Sequence, residues 1–407
     1  MTDLQSVPSD IIAISNRVAS KIGIENPEII LHEGNAKGEG YVGEIVFIQL
    51  KDKNNGKSQH IVVKRSFTNK QIRELAPIRQ IYLSEILFYD NILPSLQRFQ
   101  VENGLEKFDK VCKCLLTSKE ENNEYLVLEN IKKIGFELFD KTKILSYKHI
   151  EAIYKTYAYL HATSFLYRKF KSEEFDKMFD GLIDMYEELM KGDYSRTMWI
   201  DMFKMCSEKL IPGEDDEVIA AYDKYVKDGL NQMKHASTYD GKYPLLTHGD
   251  CWSNNMMFKY DDKGDIVDLK LLDWQLVKLG TPVQDLSYCL YSGASLDTFE
   301  RLDDLLRVYY DKFSAVLQQC GENPEEVYPF TILKEEWKQY CKFGWSAALM
   351  IIKAKTTKQE DKVDFADISM TDNQGEMIKK LVHGTPSTEY DRRVRELLLH
   401  VYKIGGM

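Results

Sequence analysis

The amino-acid sequence predicts an α+β fold of two lobes, a sheet-rich N-terminal lobe and a large helical C-terminal lobe. Short runs of β-branched and apolar residues, separated by polar turns, fill the first third of the chain. From about residue 146 onward, apolar residues recur at helical spacing. The chain has 407 residues, 43% of them hydrophobic, and no repeat or low-complexity linker divides it. We therefore assign residues 1–130 to the N-terminal lobe and residues 131–407 to the C-terminal lobe.

The N-terminal lobe contains two predicted strand pairs with a helix between them. Residues 42–50 and 60–65 form a hairpin across a polar turn. A helical pattern over residues 78–93 follows, and Pro94 is expected to close it. The second strand pair, residues 111–117 and 124–130, is joined by a charged turn. A small sheet-rich lobe therefore precedes the helical one.

Charge and targeting signals exclude several classes of protein. Acidic residues outnumber basic ones, for a formal net charge of −10, which argues against nucleic acid or an anionic membrane as a partner. The N-terminus lacks the features of a signal peptide, and the longest strongly apolar run, residues 347–352, is too short to span a bilayer. The seven cysteines show no C-x-x-C pair and no zinc-ligand spacing. We expect a cytoplasmic protein with reduced thiols.

The motif with the most specific chemistry is T-H-G-D-C-W-S-N-N-M-M-F at residues 247–258, followed by L-L-D-W-Q at 271–275. It places Asp250, Asn255 and Asp273 in the order that phosphoryl transfer requires: a carboxylate base for the attacking hydroxyl, then an amide and a carboxylate for Mg²⁺ on the phosphates of ATP. Asp273 ends an apolar strand, where an unpaired carboxylate is costly unless a metal ion or a hydrogen-bond network holds it. The sequence therefore indicates a kinase.

Two further residues are candidates for structural support of this loop. His248 has the chemistry of a general base, but we favour a bracing role in which it hydrogen-bonds nearby backbone. Asp285 opens the apolar segment D-L-S-Y-C-L-Y, and its simplest role is that of a helix N-cap. It is also a candidate brace of the catalytic loop.

A glycine-rich segment in the N-terminal lobe, G-E-G-Y-V-G, places glycines at positions 38, 40 and 43. By itself this pattern is weak, because dinucleotide-binding folds share it. Here Gly38, Gly40 and Gly43 run into a β-branched strand, whereas the dinucleotide motif opens a helix. We favour a loop that covers phosphates with its backbone N–H groups over a plain hairpin turn.

Lys64 ends the apolar run I-V-V-K behind the glycine-rich segment. A lysine at a strand end is usually a solvated charge, but at this position it is a candidate to contact the α- and β-phosphates of ATP, held by a carboxylate. We expect that carboxylate to be Glu85, which lies among apolar residues of the next helix, with Glu74 as the competitor. Residues 1–130 would then form a nucleotide-binding lobe.

The segment L-V-L-E-N-I-K, residues 126–132, lies where a hinge between the lobes is expected. Its backbone groups could read the adenine edge, so Glu129 and Asn130 are positional candidates for nucleotide binding. An ordinary turn at a strand end is the alternative.

The interval from Asp273 to Asp285 is short. It leaves no room for the long activation segment with A-P-E through which protein kinases bind peptides. The chain also has H-G-D in place of H-R-D and D-W-Q in place of D-F-G. We therefore expect a small-molecule substrate.

The two motifs H-G-D-C-W-S-N-N-M-M-F and D-W-Q-L-V-K-L-G-T-P-V-Q-D-L-S-Y resemble the ecdysteroid kinase-like family, a branch of the choline kinase and aminoglycoside phosphotransferase group that is widespread in insects. The likeness extends over most of the chain, because G-E-G-Y-V-G, V-V-K-R, S-E-I-L-F-Y, L-V-L-E-N-I and Y-L-H-A-T-S-F follow in the expected order. The resemblance implies a protein-kinase-like fold in which Asp250 is the base, Asn255 and Asp273 bind magnesium, Lys64 pairs with Glu85, and the glycine loop covers ATP.

The resemblance also implies the acceptor, a small-molecule alcohol. The leading specific expectation is an ecdysteroid, at its 22-hydroxyl, and the broader one is a plant-derived or other xenobiotic alcohol in detoxification. The alternatives are a non-catalytic protein that binds a steroid or terpenoid, and a protein kinase. Trp337, Tyr340 and Trp345 are candidates for an apolar acceptor wall, although ordinary core aromatics fit the same helical spacing.

Overall fold

The computed structural model describes residues 7–32, 43–358 and 387–407. In these residues an N-terminal antiparallel sheet precedes a larger helical part. The predicted α+β class and its two-lobed, kinase-like arrangement are therefore confirmed.

The N-terminal sheet has five strands, and Lys64 lies on the central one. In chain order the strands are β1 (Pro27–His32), β2 (Gly43–Asp52), β3 (Ser58–Ser66), β4 (Cys114–Glu120) and β5 (Asn123–Glu129). They are arranged β1-β2-β3-β5-β4, with every neighbouring pair antiparallel. Lys64 is paired with Ile45 on one side and Leu126 on the other. Because β3 is hydrogen-bonded on both edges, the backbone of Lys64 is firmly fixed.

A helix covers one face of this sheet. Helix α1 (Ser9–Ile22) ends at Gly23, whose left-handed φ of 70° suits a glycine. Its apolar side packs Ile11, Ile14 and Val18 against buried side chains of the sheet. Neither α1 nor β1 was predicted from the sequence, and β1 is short and only half-buried along most of its length. It therefore lacks the clear alternation by which strands are recognised.

The helical segment between the strand pairs is longer than predicted. It comprises α2 (Lys70–Leu75), α3 (Ile78–Leu87), a π-helical turn (Phe88–Ile92) and α4 (Leu93–Glu102). The expectation that Pro94 closes the helix is wrong. Pro94 lies in the first turn of α4, directly after the π-helical turn, where the helix changes its hydrogen-bond pattern and tolerates a missing N–H. Glu85 lies on the last turns of α3, facing the sheet.

The helical lobe has one continuous hydrophobic core. Its helices are α5 (Tyr147–Phe170), α6 (Ser172–Lys177), α7 (Met185–Leu189), α8 (Asp193–Ser207), α9 (Asp216–Val226), α10 (Gly229–Ser237), α11 (Pro282–Gly293), α12 (Leu296–Phe299), α13 (Leu302–Gln319), α14 (Pro324–Val327), α15 (Phe330–Thr356) and α16 (Thr388–Lys403). All twelve residues of α11 are buried. Its residue Asp285 contacts the loop that carries Asp250.

Two small sheets in the helical lobe position the 247–275 segment. Strand β7 (Leu245–Thr247) pairs with β10 (Lys278–Gly280), and β8 (Met256–Tyr260) pairs with β6 (Glu137–Leu138) and β9 (Ile266–Leu271). Residues 248–255 connect β7 to β8 and carry Asp250, and they form the candidate catalytic loop. Asp273 follows β9. The hairpin of β8 and β9 brings Asp273 back beside the loop.

Within the described ranges, no helix is both long enough and apolar enough to cross a membrane. All seven cysteines are free thiols, and five of them are buried. Burial raises the pKa of the Cys112 thiol to about 12, so this thiol is unreactive at neutral pH.

Helices α2 and α3 are attached to the sheet through one buried carboxylate, Glu124 on β5. It accepts hydrogen bonds from Arg73 (2.9 Å), Arg79 (2.8 Å) and the Ser66 hydroxyl (2.8 Å). Burial opposes its charge, but these donors outweigh burial and hold the pKa of Glu124 at about 2. Since α3 carries Glu85, this cluster also orients one wall of the candidate site.

We expect Glu124→Gln to lower the free energy of unfolding at pH 7 by about 3 kcal/mol. The depressed pKa makes this contribution fully present above pH 4.5, the ordinary pKa of a glutamate, and removes it as the pH falls toward 2. Urea unfolding between pH 7 and pH 2.5 tests this. The gap between wild type and variant should close in that acid window.

Glu120→Gln is the matched control, because Glu120 is an exposed carboxylate on β4 that accepts from Asn123. We expect this variant to unfold like the wild type at every pH. A Glu124→Gln gap that stays constant down to pH 2.5 would show that the charge of Glu124 contributes nothing.

Candidate active site

Lys64 joins the two lobes at the centre of the site. Its Nζ lies 2.6 Å from Glu85 Oε2 and also donates to Asp273 Oδ1. The side chains of Lys64 and Glu85 are 11% and 1% exposed, whereas that of Asp273 is 27% exposed. One ammonium therefore connects the strand, the helix and the Asp273 loop, with its open side toward Asp273.

The choice between Glu85 and Glu74 as partner of Lys64 follows directly from this geometry. Glu74 is exposed and lies 3.8 Å from Lys70 on its own helix. Glu85 is buried against Lys64. Burial disfavours the Lys64 ammonium, but Asp273 and Glu85 outweigh burial and raise its pKa above the ordinary value. Lys64 is thus a fixed positive charge at neutral pH.

Asp273 has an unusual backbone conformation. Its φ and ψ are both 65°, in the left-handed region that aspartate tolerates better than most residues. The next residue, Trp274, stacks on Phe88 at a centroid distance of 3.9 Å and an interplanar angle of 5°. Phe88 directly follows α3. The stacking therefore ties the Asp273 turn to the helix that carries Glu85.

Asp250 is held by two donors. The Asn255 Nδ2 amide donates to Asp250 Oδ2 at 2.7 Å and to its backbone carbonyl at 3.0 Å, and the Tyr288 hydroxyl donates to Oδ1 at 3.0 Å. Burial, followed by the nearby charge of Asp273, raises the pKa of Asp250 to about 6. A carboxylate in this environment is ionised at neutral pH and is a stronger base than an exposed aspartate.

The first half of the catalytic loop is fixed by Asp285. Its carboxylate accepts from the backbone N–H groups of His248 (2.8 Å) and Gly249 (3.0 Å). The predicted N-cap role of Asp285 is wrong, because α11 is capped by Thr281, whose hydroxyl accepts from Val283 N–H. Asp285 lies one turn further along, where the helix N-terminus favours its charge. It contacts the loop instead of capping the helix.

His248 hydrogen-bonds backbone on both sides of its ring. Nε2 lies 2.8 Å from the Leu272 carbonyl, and Nδ1 accepts from the Asp250 N–H at 3.2 Å. This pairing requires the neutral tautomer with the proton on Nε2. Burial lowers the pKa of His248. The ring thus connects the Asp250 loop to the residue before Asp273.

Buried side chains from other helices support Asp285 and the catalytic loop. His161 on α5 places Nε2 3.2 Å from Asp285 and Nδ1 3.1 Å from the Tyr309 hydroxyl. Tyr186 donates to the Gly249 carbonyl at 2.8 Å. Both backbone groups of Gly249 are therefore bound by buried side chains from separate elements, so the loop has little freedom to move.

The donor set for a metal ion fits magnesium. A backbone hydrogen bond of 2.8 Å from Leu272 N–H to the Asn255 carbonyl places Asn255 next to the Asp273 turn. The amide nitrogen of Asn255 is bound by Asp250, which leaves its amide oxygen for a cation. Magnesium needs only one or two such protein oxygens when phosphates and water supply the rest. In the described part of the chain, no group of three or more His, Cys, Asp or Glu side chains could hold a metal.

Of the glycine-rich segment, Gly38 and Gly40 lie outside the described residues. Gly43 opens β2, where a Cβ would collide with the Tyr82 hydroxyl and the Arg65 carbonyl. Close packing thus requires a glycine at 43. Its role toward phosphate stays a prediction.

The hinge candidates lie at the end of β5. The Glu129 N–H donates to the Lys113 carbonyl at 2.9 Å, and the Asn130 N–H donates to the His60 carbonyl at 3.0 Å. The Asn130 side chain caps a 3₁₀ turn by accepting from Lys132 N–H at 3.2 Å. This is the geometry of a strand-end turn, and nucleotide binding by Glu129 and Asn130 stays a prediction.

The three aromatics suggested for an acceptor wall lie in the core. Trp345 packs on Tyr225 and donates to the Gly406 carbonyl, and the Tyr340 hydroxyl donates to Asp240. Trp337 is 3% exposed. All three rings therefore belong to the hydrophobic core of the helical lobe.

Two aromatic side chains, Tyr186 and Tyr288, donate hydrogen bonds to the catalytic loop, and Phe343 packs against both. Phe343 lies edge-on to Tyr186 and Tyr288, with centroid distances of 4.7 and 6.0 Å. Sequence reasoning missed this cluster and also His161. Tyr288 could have been predicted from the sequence. It lies three residues after Asp285 on one helix, and residues three apart share a helix face.

The geometry suits phosphoryl transfer, and the comparison with known families agrees with it. The profile of the ecdysteroid kinase-like family matches residues 37–322. The chain belongs to the ecdysteroid kinase-like family. No curated protein matches it.

The match to the ecdysteroid kinase-like family covers the charged residues of the site. Lys64, Glu85, the catalytic loop, Asp273 and Asp285 all lie within it. Helices α14, α15 and α16 lie beyond its end. A family of this kind indicates a kinase-like small-molecule phosphotransferase, and the arrangement of charges in this member suits that chemistry.

Proposed function

We propose that the protein is an ATP-dependent kinase that transfers a phosphoryl group to the hydroxyl of a small-molecule alcohol. The observation that carries the proposal is the ammonium of Lys64 bridging Glu85 and Asp273, beside a buried pair of Asp250 and Asn255. This combination of a phosphate-binding lysine, a base and two oxygen donors for Mg²⁺ is the set that phosphoryl transfer uses.

The residues divide the work as follows. Mg-ATP, when bound, supplies the phosphoryl group. Asn255 and Asp273 would hold the magnesium ion, and Lys64 orients phosphate oxygens while Glu85 keeps its ammonium in place. Asp250 accepts the proton of the acceptor hydroxyl and aligns that oxygen for attack. Asp285 and His248 keep the loop rigid, so that little reorganisation is needed during transfer.

For the acceptor we propose a neutral, largely apolar alcohol. An ecdysteroid, phosphorylated at its 22-hydroxyl, is the leading specific candidate, and a plant or other xenobiotic alcohol in cytoplasmic detoxification is the broader one. The family supports the steroid, and the Tyr186, Tyr288 and Phe343 cluster gives the loop apolar surroundings. Only a 3₁₀ turn and the short strand β10 lie between Asp273 and α11, which leaves no segment for a peptide.

Incubation of the purified full-length protein with Mg-ATP and ecdysone should yield a monophosphate ester, detected by mass spectrometry. A panel of plant alcohols serves as the parallel arm. Robust phosphorylation of a phenolic or glycosidic toxin without ecdysone phosphate would assign the protein to detoxification. Peptide phosphorylation at comparable rates would indicate a protein kinase. Tight steroid binding by calorimetry, with no affinity for Mg-ATP, would indicate a non-catalytic carrier.

A further inference from the structure

Lys355 is a buried lysine whose ammonium contacts the catalytic loop. It lies in the last turn of α15 and is 6% exposed. Its Nζ donates to the hydroxyl of Ser253 at 3.0 Å. Ser253, which is fully buried, lies between Asp250 and Asn255 in the chain. The ammonium at the end of α15 therefore lies against the catalytic loop.

The surroundings of this ammonium are not those of an ordinary structural ion pair. Within the described residues, the Ser253 hydroxyl is its only hydrogen-bond acceptor, and no carboxylate lies within 4 Å of it. The charged and titratable groups that act on it electrostatically are Arg393 on α16, Cys289 on α11 and Asp140 in the loop after β6. Burial, followed by the repulsion of Arg393, lowers the pKa of Lys355 to about 7.

A charge buried in this way costs stability. An apolar side chain of similar length would fill the space without the cost of desolvation. Arg393 is itself 5% exposed and donates to the Ser292 carbonyl at 3.2 Å, so it supplies repulsion and no compensation. Within the described residues its hydrogen bond goes to Ser253, so the stabilisation that Lys355 provides is expected there.

That group belongs to the part of the loop that Asp285 does not hold. Asp285 fixes the backbone at His248 and Gly249, ahead of the base. Lys355 acts on the segment after the base, through Ser253. This segment sets the separation between Asp250 and Asn255, whose side chains must face the acceptor hydroxyl and the metal ion together.

We propose that Lys355 is a positioning residue for phosphoryl transfer, which holds the Asp250–Asn255 segment in its reactive geometry through Ser253. The inference rests on the proposed function. It predicts that Lys355→Met and Ser253→Ala each lower kcat for ATP turnover by about 10- to 100-fold, with a smaller change in KM for ATP. The double variant should lose no more than either single variant, because both act through one contact.

Lys338→Met is the matched control. Lys338 lies on the same helix with its side chain exposed, so the substitution removes a charge without touching the loop. We expect it to leave kcat unchanged. Fully additive losses for Lys355→Met and Ser253→Ala, or a wild-type kcat in Lys355→Met, would overturn the proposal.

A measurement of thermal stability tests the proposal without requiring catalytic activity. Because the folded-state pKa of Lys355 lies below the unfolded value, the unfolded chain binds the extra proton between about pH 7 and pH 10.5. The penalty of the buried charge is thus greatest below pH 7 and shrinks as the pH rises. Lys355→Met should melt about 2–4 °C above wild type at pH 6, with a smaller difference at pH 9. A variant that melts lower than wild type at pH 6 would make Lys355 a structural lysine and overturn the proposal.

The two failures are distinguishable. If Asp250→Asn leaves ATP turnover unchanged, the proposed function fails, and hydrogen exchange of residues 247–255 then decides the role of Lys355. Faster exchange of this peptide in Lys355→Met than in Lys338→Met supports the contact with the loop. Equal exchange overturns it.

Discussion

Asp250→Asn should lower phosphoryl transfer by about 10²- to 10⁴-fold, because it removes the positioned base. The substitution keeps the shape of the side chain. Its oxygen can still accept from Asn255, and its amide can donate to the Tyr288 hydroxyl, which can also act as an acceptor. The loop should therefore keep its fold. Steady-state turnover together with Mg-ATP binding by calorimetry tests this, with binding expected to stay close to that of wild type.

Asp262→Asn is the control for this experiment. Asp262 lies in the exposed turn between β8 and β9, so the same change of carboxylate to amide occurs outside the loop. We expect wild-type turnover. Turnover of Asp250→Asn at the wild-type rate would remove Asp250 from the reaction, whereas loss of Mg-ATP binding in that variant would assign Asp250 to the nucleotide site.

The sequence predicted those parts of the site whose residues lie close together in the chain. Asp250 and Asn255 are five positions apart on one loop, and the apolar strands around them return Asp273 to the same place. The alternation of β2, β3 and β5 and the long helical run of α5 were likewise readable. Each of these signals is local. They fixed the order of the lobes and the chemistry of the loop.

Contacts between distant segments were not predictable in the same way. Lys355 is 102 residues from Ser253, and neither residue carries a local signal of the other. Lys64 and Asp273 are separated by 209 positions, and their contact depends on how the two lobes pack. Lys64 and Asp273 were both predicted to act at the phosphates of ATP, but a contact between them was not predicted.

One error was avoidable. Thr281 followed by Pro282 is a common helix start, with a hydroxyl cap and a proline in the first turn. Reading this pair as the start of α11 places Asp285 inside the helix, on the first turn. Its carboxylate is then free to reach a neighbouring loop, which is what the structure shows.

The second large effect is expected at Asp285, since both of its oxygens accept backbone N–H groups. Asp285→Asn would turn an amide N–H toward one of those backbone N–H groups. That backbone donor would then have no acceptor in a buried site. We expect a loss of about 2–3 kcal/mol in the free energy of unfolding and a fall of about 10²-fold in turnover, because the loop shifts away from its reactive geometry.

Chemical denaturation and turnover at a temperature where the variant is fully folded separate the two effects of Asp285→Asn. Asp297→Asn is the control, because Asp297 lies in the first turn of α12 with an exposed side chain. Lower stability with normal turnover would mean that Asp285 supports the fold but not the loop. A loss of turnover in the folded variant would show that the geometry of the loop, and not the stability of the lobe, sets the rate of transfer.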